Sequence, residues 1–459
     1  GYNVYGLFPF FTPEVTKKNL TKLHLVDQYQ FDRPVTKPVD RVFDTVADIS
    51  KILTNATGYH TVESQVFEKT SSNFSVVADV ADARKAALTQ ALFPTQDSFE
   101  AHKQWFGSTV QKLIKEHTLK VDGLAGSRLD IVGNVANLAP VYWVAEFILG
   151  IPLKTVNKKD GLLTPVEVLD MLKTVFAAAY LNTLPENNWS ISRRASYFAQ
   201  VLSQFIEKAL ADAVPGLVIK TISTFLFQSH EPAHDFLQKI SQSKAPHDQL
   251  VGDILGFAVA SSVSLSKTVA EIVDFYLGAD RATERAEVVR LANTTDAASR
   301  ELLKGYVREA QRLAPQFAAV LREDAAPATT STSQPKQTLV LDLKKALVNP
   351  GDFPDPLAVN PRRPAQSYDV LQEASFYKAL GGSRGEEVRS AFPDPDPDPD
   401  GRRDRQEHLP APEPAARQGP VGTIGKLQAQ KFGVDFDMYT DNVGLPSYWP
   451  NSLVVTYGA

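Results

Sequence analysis

The feature that most constrains the fold is a long apolar stretch from His247 to Leu277. As a single helix of 31 residues, it would be roughly 46 Å long, which is enough to cross a whole domain. Between Ile254 and Val263 it is apolar on nearly every side, and this predicts burial all around the helix. The rest of the chain must then pack around it. The sequence therefore predicts a mainly α-helical protein with this helix at its centre.

Further segments carry helical or strand patterns. Apolar residues recur at i, i+3 and i+4 spacing in several windows, and Thr164–Glu167 is a capping box with proline at the first helical position. The predicted helices run from Asp97 to His117, Leu129 to Ile148, Thr164 to about Leu181, Ser190 to Ala213, and about Asp296 to Leu313. Residues 338–343 alternate in polarity as a strand does. The predicted class is mainly α with minor β.

Composition excludes several functional classes. The 459 residues contain no cysteine, so disulfides, cysteine-ligated zinc, iron–sulfur clusters and cysteine nucleophiles are all ruled out. A net charge of −5 gives no electrostatic footprint for nucleic acid. No signal peptide is evident, and the apolar stretch 138–152 is shorter than a membrane span requires. The chain is therefore expected to be soluble, without a membrane span, and cytoplasmic.

Proline and aspartate dominate one segment. Residues 393–400 read PDPDPDPD, and proline at alternate positions prevents both helix and sheet hydrogen bonding. The predicted organisation is a main body over residues 1–380, a disordered insert rich in Pro, Asp and Arg over 381–420, and a β-rich aromatic segment over 421–459 that completes the same domain. The Asp-Pro repeat is not expected to bind calcium, because an extended chain cannot fold its oxygens around one point.

The sequence HEPAH at 230–234 fits the H-E-x-x-H pattern of zinc metalloproteases. Pro232 contradicts a helical zinc site, because proline is tolerated only in the first turn and His230 would then precede the helix. No third ligand follows at suitable spacing. The pattern is interpreted as a loop-to-helix junction, and no metal site is predicted.

Glu309 and Arg312 form an E-x-x-R pair that brings the two side chains together on one helical face. The sequences FPDP at 353–356 and NPRRP at 360–364 follow it. A second arginine from this stretch, Arg363, would complete a buried Glu–Arg–Arg network that locks the helix to the loop. Such a network is structural rather than catalytic, because removing one member of a buried ion pair is costly.

A long central helix, then E-x-x-R, a strand and FPDP together resemble a cytochrome P450. More specifically, the chain resembles the C-terminal P450-like domain of the fungal fatty-acid dioxygenase fusions, the linoleate diol synthases and psi-producing oxygenases. The stretches that carry this resemblance are YGLFPF at 5–10, FDRP at 31–34, NVANLA at 134–139, DFYL at 274–277 and SYWP at 447–450. It covers nearly the whole chain except residues 381–417.

The resemblance implies a fold that binds haem and a domain that isomerises a fatty-acid hydroperoxide made by an N-terminal haem dioxygenase domain. It also implies an axial cysteine shortly after Ser367. Alignment places Lys378 or Ala379 at that position, and neither supplies the thiolate that promotes O–O cleavage. At the central-helix positions where active relatives carry Asn and Gln, this chain has Ser264 and Lys267.

Three interpretations follow. The first is a degenerate P450-like domain without isomerase activity, which serves the dioxygenase domain as a scaffold or as a binding site for a fatty acid or its hydroperoxide. The second is a haem-dependent oxidoreductase that uses another ligand, His408 or Tyr377. The third is a frameshift or mis-spliced intron that replaced the haem loop, which sequencing of the transcript would decide.

Overall fold

The computed structural model describes residues 39–55, 58–61, 74–75, 82–120, 122–123, 126–181, 185–214, 231–243, 245–294, 296–324, 338–374, 426–431, 434–440 and 446–457. The first 38 residues and the predicted insert at 381–420 lie outside the described residues, so the proposed division of the chain stays a prediction.

Helices make up most of the described chain, and a mainly α fold with minor β is confirmed. They are α1 (Val46–Leu53), α2 (Asp82–Leu92), α3 (Gln96–His117), α4 (Ala139–Val144), α5 (Pro165–Phe176), α6 (Pro185–Ala213), α7 (Glu231–Ser241), α8 (His247–Leu277), α9 (Ala282–Ala292), α10 (Ala297–Leu313), α11 (Leu343–Ala346) and α12 (Asp369–Ala374). Wider π-helical turns precede and follow α4, at Val132–Ala136 and Ala145–Leu149, and another, Ala177–Leu181, extends α5.

Three small sheets flank the helices. Their strands are β1 (Val39–Phe43), β2 (Tyr59–Thr61), β3 (Leu119–Lys120), β4 (Ser127–Asp130), β5 (Ala319–Asp324), β6 (Thr338–Asp342), β7 (Lys426–Lys431), β8 (Val434–Thr440), β9 (Pro446–Ser447) and β10 (Val454–Tyr457). The sheet orders are β1-β6-β5-β2, β10-β4-β3 and β7-β8-β9. Only β1 and β6 pair in parallel among the described strands, and both pairs in the second sheet are antiparallel.

Helix α8 begins and ends at the residues that the sequence predicts, and residues 250–271 are all buried. It packs against α4, α5, α6 and α10. Two helical stretches, Val132–Leu149 and α8, are long and apolar enough to cross a membrane by length and composition alone. No such segment was predicted from the sequence. Both lie mostly inside the fold, 72% and 94% buried respectively, as expected of core helices.

Local sequence signals determine where several helices begin. Thr95 and Thr164 each accept a hydrogen bond from the third helical amide, while Ser98 and Glu167 bond back to the cap residue. These capping boxes satisfy amides that the first turn leaves without partners. Asp296 caps α10 through its side chain alone, with Oδ1 accepting from the Ser299 amide at 2.9 Å.

Two predicted helix boundaries are wrong. Residue 129 lies in strand β4 rather than in a helix, because β4 pairs with β10 at the other end of the chain. Helix α6 begins at Pro185, five residues before the predicted start at Ser190. In contrast, α7 begins at Glu231 with Pro232 in its first turn, as the loop-to-helix interpretation expects, and His230 lies outside the described residues.

Candidate functional site

Glu309 is completely buried on α10 and lies at the centre of a charged network. Arg312 donates from Nε to Oε1 and from Nη2 to Oε2 of Glu309, both at 2.9 Å. The Nε of Arg363 lies 3.3 Å from Oε1. The structure therefore brings together the three residues of the predicted network.

Two further partners complete the network. The Tyr368 hydroxyl donates to Oε1 of Glu309 at 2.6 Å, and the Asn360 amide donates to Oε2 at 2.9 Å. Burial alone would raise the pKa of Glu309, but the hydrogen bonds from Arg312, Tyr368 and Asn360 lower it below its ordinary value. The carboxylate is therefore held in its charged form. Its burial and this bond raise the pKa of Tyr368, whose proton stays in place.

Arg312 also fixes the chain that follows. Its Nη1 donates to the carbonyl oxygens of Leu347 and Pro356 at 2.8 and 2.6 Å, and its Nη2 donates to that of Ala358 at 3.1 Å. Its guanidinium lies 5.0 Å from the ring centroid of Phe353. Together with Arg363, these contacts hold α10 against residues 347–363.

Ser264 lies buried on α8, and its hydroxyl donates to the Gln316 side-chain oxygen at 3.0 Å. Thr268, one turn later, donates to the same oxygen at 3.0 Å. Gln316 belongs to the connection between α10 and β5. Ser264 is therefore already paired with a protein group, and it fastens this connection to the central helix.

Lys267 is buried on the same helix with only 5% of its side chain exposed. Its ammonium lies 3.2 Å from Oε1 of Glu271 and 3.3 Å from the Tyr439 hydroxyl, and 4.5 Å from the Tyr439 ring centroid. Tyr439 lies on β8, so a strand near the end of the described chain contacts the central helix directly. An ammonium group in this setting is charge-compensated by Glu271 and by the aromatic face.

An aromatic cluster adjoins these polar contacts. Phe176 on α5 stacks on Phe317 at a centroid distance of 5.9 Å and meets Trp449 edge to face at 5.6 Å. Tyr180 lies 4.7 Å from Phe176. Trp449 is 4% exposed, and its indole Nε1 is buried without a hydrogen-bond partner among the described residues.

Lys173 is half-buried on α5, one turn before Phe176. Burial lowers its pKa to about 7; Asp170 acts to raise the pKa and the nearby Lys267 to lower it further. Sequence reasoning did not find this lysine. Its signal was present in the sequence, since Lys173 shares one side of a helix with Leu169 and Phe176, where an apolar residue is expected.

The remaining predicted positions are not tested. Lys378 and Ala379, at the axial-ligand position that the resemblance implies, lie outside the described residues, as do Tyr377 and His408. Within the described ranges, no group of three or more His, Asp or Glu side chains is arranged to hold a metal ion.

Known proteins with similar folds define the class. The chain superimposes on the cytochrome P450 CYP109E1 from Bacillus megaterium with a TM-score of 0.57 and 13% identity, over 98% of this chain and all of that one. At that identity the likeness concerns the fold alone. The fold is that of a cytochrome P450.

Sequence relatives come from fungi. No family model matches the chain. It is 25% identical over 80% of its length to a linoleate 10R-lipoxygenase and 23% identical over 78% to psi-producing oxygenase A, both of Aspergillus fumigatus. A 7,8-linoleate diol synthase of Pyricularia oryzae is 22% identical over 68% of the chain. These relatives include fungal linoleate diol synthases and psi-producing oxygenases, the group that the sequence analysis named, and the chain spans about a third of their length.

The P450 fold implies a haem held by a cysteine thiolate. The chain contains no cysteine, so no side chain can supply that ligand. In addition, the described polar groups at the centre of α8, Ser264 and Lys267, already have protein partners. The residues present do not fit a haem–thiolate centre.

Proposed function

We propose that this chain is the P450-like part of a fungal oxylipin-forming dioxygenase and has lost hydroperoxide isomerisation. It serves as a scaffold and lipid-binding partner in the cytoplasm, and the fatty-acid hydroperoxide is made by an N-terminal haem dioxygenase domain of the full-length protein. The observation that carries the proposal is the complete lack of cysteine in a P450 fold. Without a thiolate there is no electron-rich axial ligand to promote cleavage of the O–O bond.

The described contacts support a scaffold role. The network around Glu309 is built entirely from protein groups, so this part of the fold does not depend on a bound cofactor. At the family's Asn and Gln positions, the hydroxyl of Ser264 bonds Gln316 and the ammonium of Lys267 bonds Glu271 and Tyr439. Both side chains therefore have a structural use in place of positioning a hydroperoxide.

A spectroscopic and product assay tests the loss of activity. The chain is expressed with a haem precursor, reduced and treated with CO, and a separate sample is incubated with a linoleic acid hydroperoxide. We expect no Soret band of the haem–thiolate type and recovery of the hydroperoxide unchanged. Conversion of the hydroperoxide to a diol would refute the proposal. A haem spectrum with histidine or tyrosine ligation would instead support the oxidoreductase interpretation.

The variants Ala379→Cys and Lys378→Cys are the matched controls. They place a sulfur at the position that the resemblance assigns to the axial ligand. If either variant shows a haem–thiolate spectrum and the unaltered chain shows none, the missing cysteine sulfur alone accounts for the loss of the haem–thiolate centre. The same spectrum without the substitution would contradict that attribution.

A further inference from the structure

Helix α5 presents a cation on a side that is otherwise apolar. Residues 169, 173, 176 and 180 recur at spacings of four, three and four, so they lie on one side of the helix and its extension. Leu169 is 8% exposed, Phe176 is fully buried, and Lys173 and Tyr180 are half-buried. Helix α5 packs against α6 and α8. An ammonium group at such a place is poorly solvated and needs a negative partner.

The described neighbours do not supply that partner at bonding distance. Asp170, the acidic group that acts on Lys173, is bound to Arg194 of α6, with Nη2 2.8 Å from Oδ2. From α8, Lys267 adds a second positive charge, although Glu271 and Tyr439 hold it. Among the described residues, the ammonium of Lys173 has no carboxylate within hydrogen-bonding distance. The local balance of charge therefore favours an anion.

A second group, independent of Lys173, also points to a missing acceptor. The indole N–H of Trp449 is buried and unpaired among the described residues. The Trp449 ring touches Phe176, which lies three residues after Lys173 on the same side of α5. Most buried N–H groups have a partner, and one without a partner is destabilising. Two donors that lack an acceptor thus flank one phenylalanine.

We propose that Lys173 and Trp449 form a carboxylate-binding pocket for a long-chain fatty acid. The carboxylate lies between the Lys173 ammonium and the Trp449 N–H, and the hydrocarbon chain follows the rings of Phe176 and Phe317. An apolar anion is required because the surrounding side chains are aromatic and aliphatic. This inference rests on the proposed lipid-binding role and names the site through which it acts. No covalent step is involved.

Calorimetric titration with linoleate, below its micelle concentration, tests the pocket. Lys173→Met keeps the length of the side chain and removes the charge. We expect it to weaken linoleate binding by at least about tenfold, since a charge-assisted hydrogen bond is lost. Binding of linoleyl alcohol, which has the same chain without a carboxylate, is expected to stay within about twofold. Lys239→Met, which removes a lysine paired with Asp235 on α7, is the matched control and is expected to bind linoleate normally.

Proton uptake on linoleate binding distinguishes direct pairing with Lys173 from a merely structural role, which would not change it. Because the pKa of Lys173 is about 7, most of the amine is neutral at pH 8 and must take up a proton to pair with a carboxylate. Titrations in two buffers of different ionisation enthalpy are expected to show net uptake of roughly 0.7 to 0.9 proton at that pH. The Lys173→Met variant is expected to show none.

Trp449→Phe tests the second donor, because it keeps an aromatic ring next to Phe176 and removes the N–H. We expect about three- to tenfold weaker linoleate binding. The pocket is wrong if the unaltered chain does not bind linoleate, or if Lys173→Met binds it with unchanged affinity and proton uptake. If the chain isomerises hydroperoxides while Lys173→Met still weakens binding, only the proposed loss of activity fails.

Discussion

Gly305 shows how closely the buried network packs. It lies on α10, and a Cβ atom there would be 1.9 Å from the carbonyl oxygen of Pro361. Real Cβ atoms do not approach a backbone oxygen so closely. The 360–363 loop cannot easily move away from α10, because Asn360 and Arg363 both contact Glu309 of that helix. A glycine is therefore required at this position.

Replacement of Gly305 with alanine is expected to separate α10 from this loop and to lower the free energy of unfolding by about 3 kcal/mol, in the range of severe packing defects. Chemical denaturation measures the change. Gly351→Ala is the control, because a Cβ atom at this exposed turn would meet only the side-chain oxygen of Asn349, at 3.2 Å. Equal stability of the two variants would contradict the packing argument.

His102 makes stability depend on pH. It is 8% exposed, its Nδ1 accepts the indole N–H of Trp143 at 3.0 Å, and burial lowers its pKa to about 4, although a hydrogen bond to the Leu92 backbone partly raises it. The unfolded chain binds the proton near pH 6.5, well above the folded chain. The folded state is therefore fully stabilised above pH 6.5 and loses stability as the pH falls towards 4.

Across that window we expect the free energy of unfolding to fall by up to about 3 kcal/mol from this group. His102→Gln can still accept from Trp143 but does not titrate, so it should flatten the dependence between pH 4 and 6.5. Urea denaturation at several pH values measures the free energy of unfolding in each variant. His117→Gln, at the end of α3, is expected to retain the slope. If His102→Gln shows the same dependence of the free energy of unfolding on pH, other groups cause that dependence.

At the scale of elements, the sequence predicted best the helices whose ends are determined by local signals. Helix α8 has the predicted bounds because its apolar pattern is uninterrupted and Pro246 and Gly278 flank it. The helix predicted from Leu129 was wrong at its start for a long-range reason. The Asp130 carboxylate accepts the amides of Gly133 and Leu453 at 2.8 Å, so a partner more than 300 residues away holds this segment as a strand.

In the candidate site, too, the sequence predicted the contacts between residues with a local signal and missed those between distant residues. Glu309 and Arg312 were found because they are three residues apart, and Arg363 because a short proline-rich motif surrounds it. Tyr368 and the Asn360 amide were missed, since their pairing with Glu309 spans 59 and 51 residues and leaves no periodic signal. Lys173 was missed because a single charged residue within an apolar pattern is usually interpreted as the boundary between the buried and exposed sides of a helix.

Glu309→Gln tests the role of the network in holding two elements together. The amide cannot compensate the charges of Arg312 and Arg363, which are fully or largely buried. We expect a loss of about 3 to 5 kcal/mol in the free energy of unfolding. Thermal and urea unfolding measure it.

The matched control lies on the same helix. Glu301 forms an i, i+3 pair with Lys304 at 2.8 Å, and the side chain of Glu301 is 63% exposed. Glu301→Gln should cost at most about 0.5 kcal/mol, because exposed pairs contribute little. A comparable loss in both variants would mean that the Glu309 network is no more important than a surface pair.

At the scale of the whole molecule, strands that are far apart in sequence pair in two of the small sheets. Strand β1 pairs with β6, and β4 pairs with β10, so two of the three described sheets join an early strand to a much later one. The Tyr439 contact with Lys267 adds a third connection of this kind. The P450 fold is thus closed by long-range pairings around the central helix rather than by neighbours in sequence.

This closure has a consequence for synthesis on the ribosome. The Asp130 side chain and the Leu453 amide that it binds are 323 residues apart. At about 5 to 20 residues per second, roughly 15 to 65 s pass between translation of the two. During that interval β4 has an open edge that any other nascent strand can pair with. Chaperones that shield such edges therefore have a defined place to act while this chain is being made.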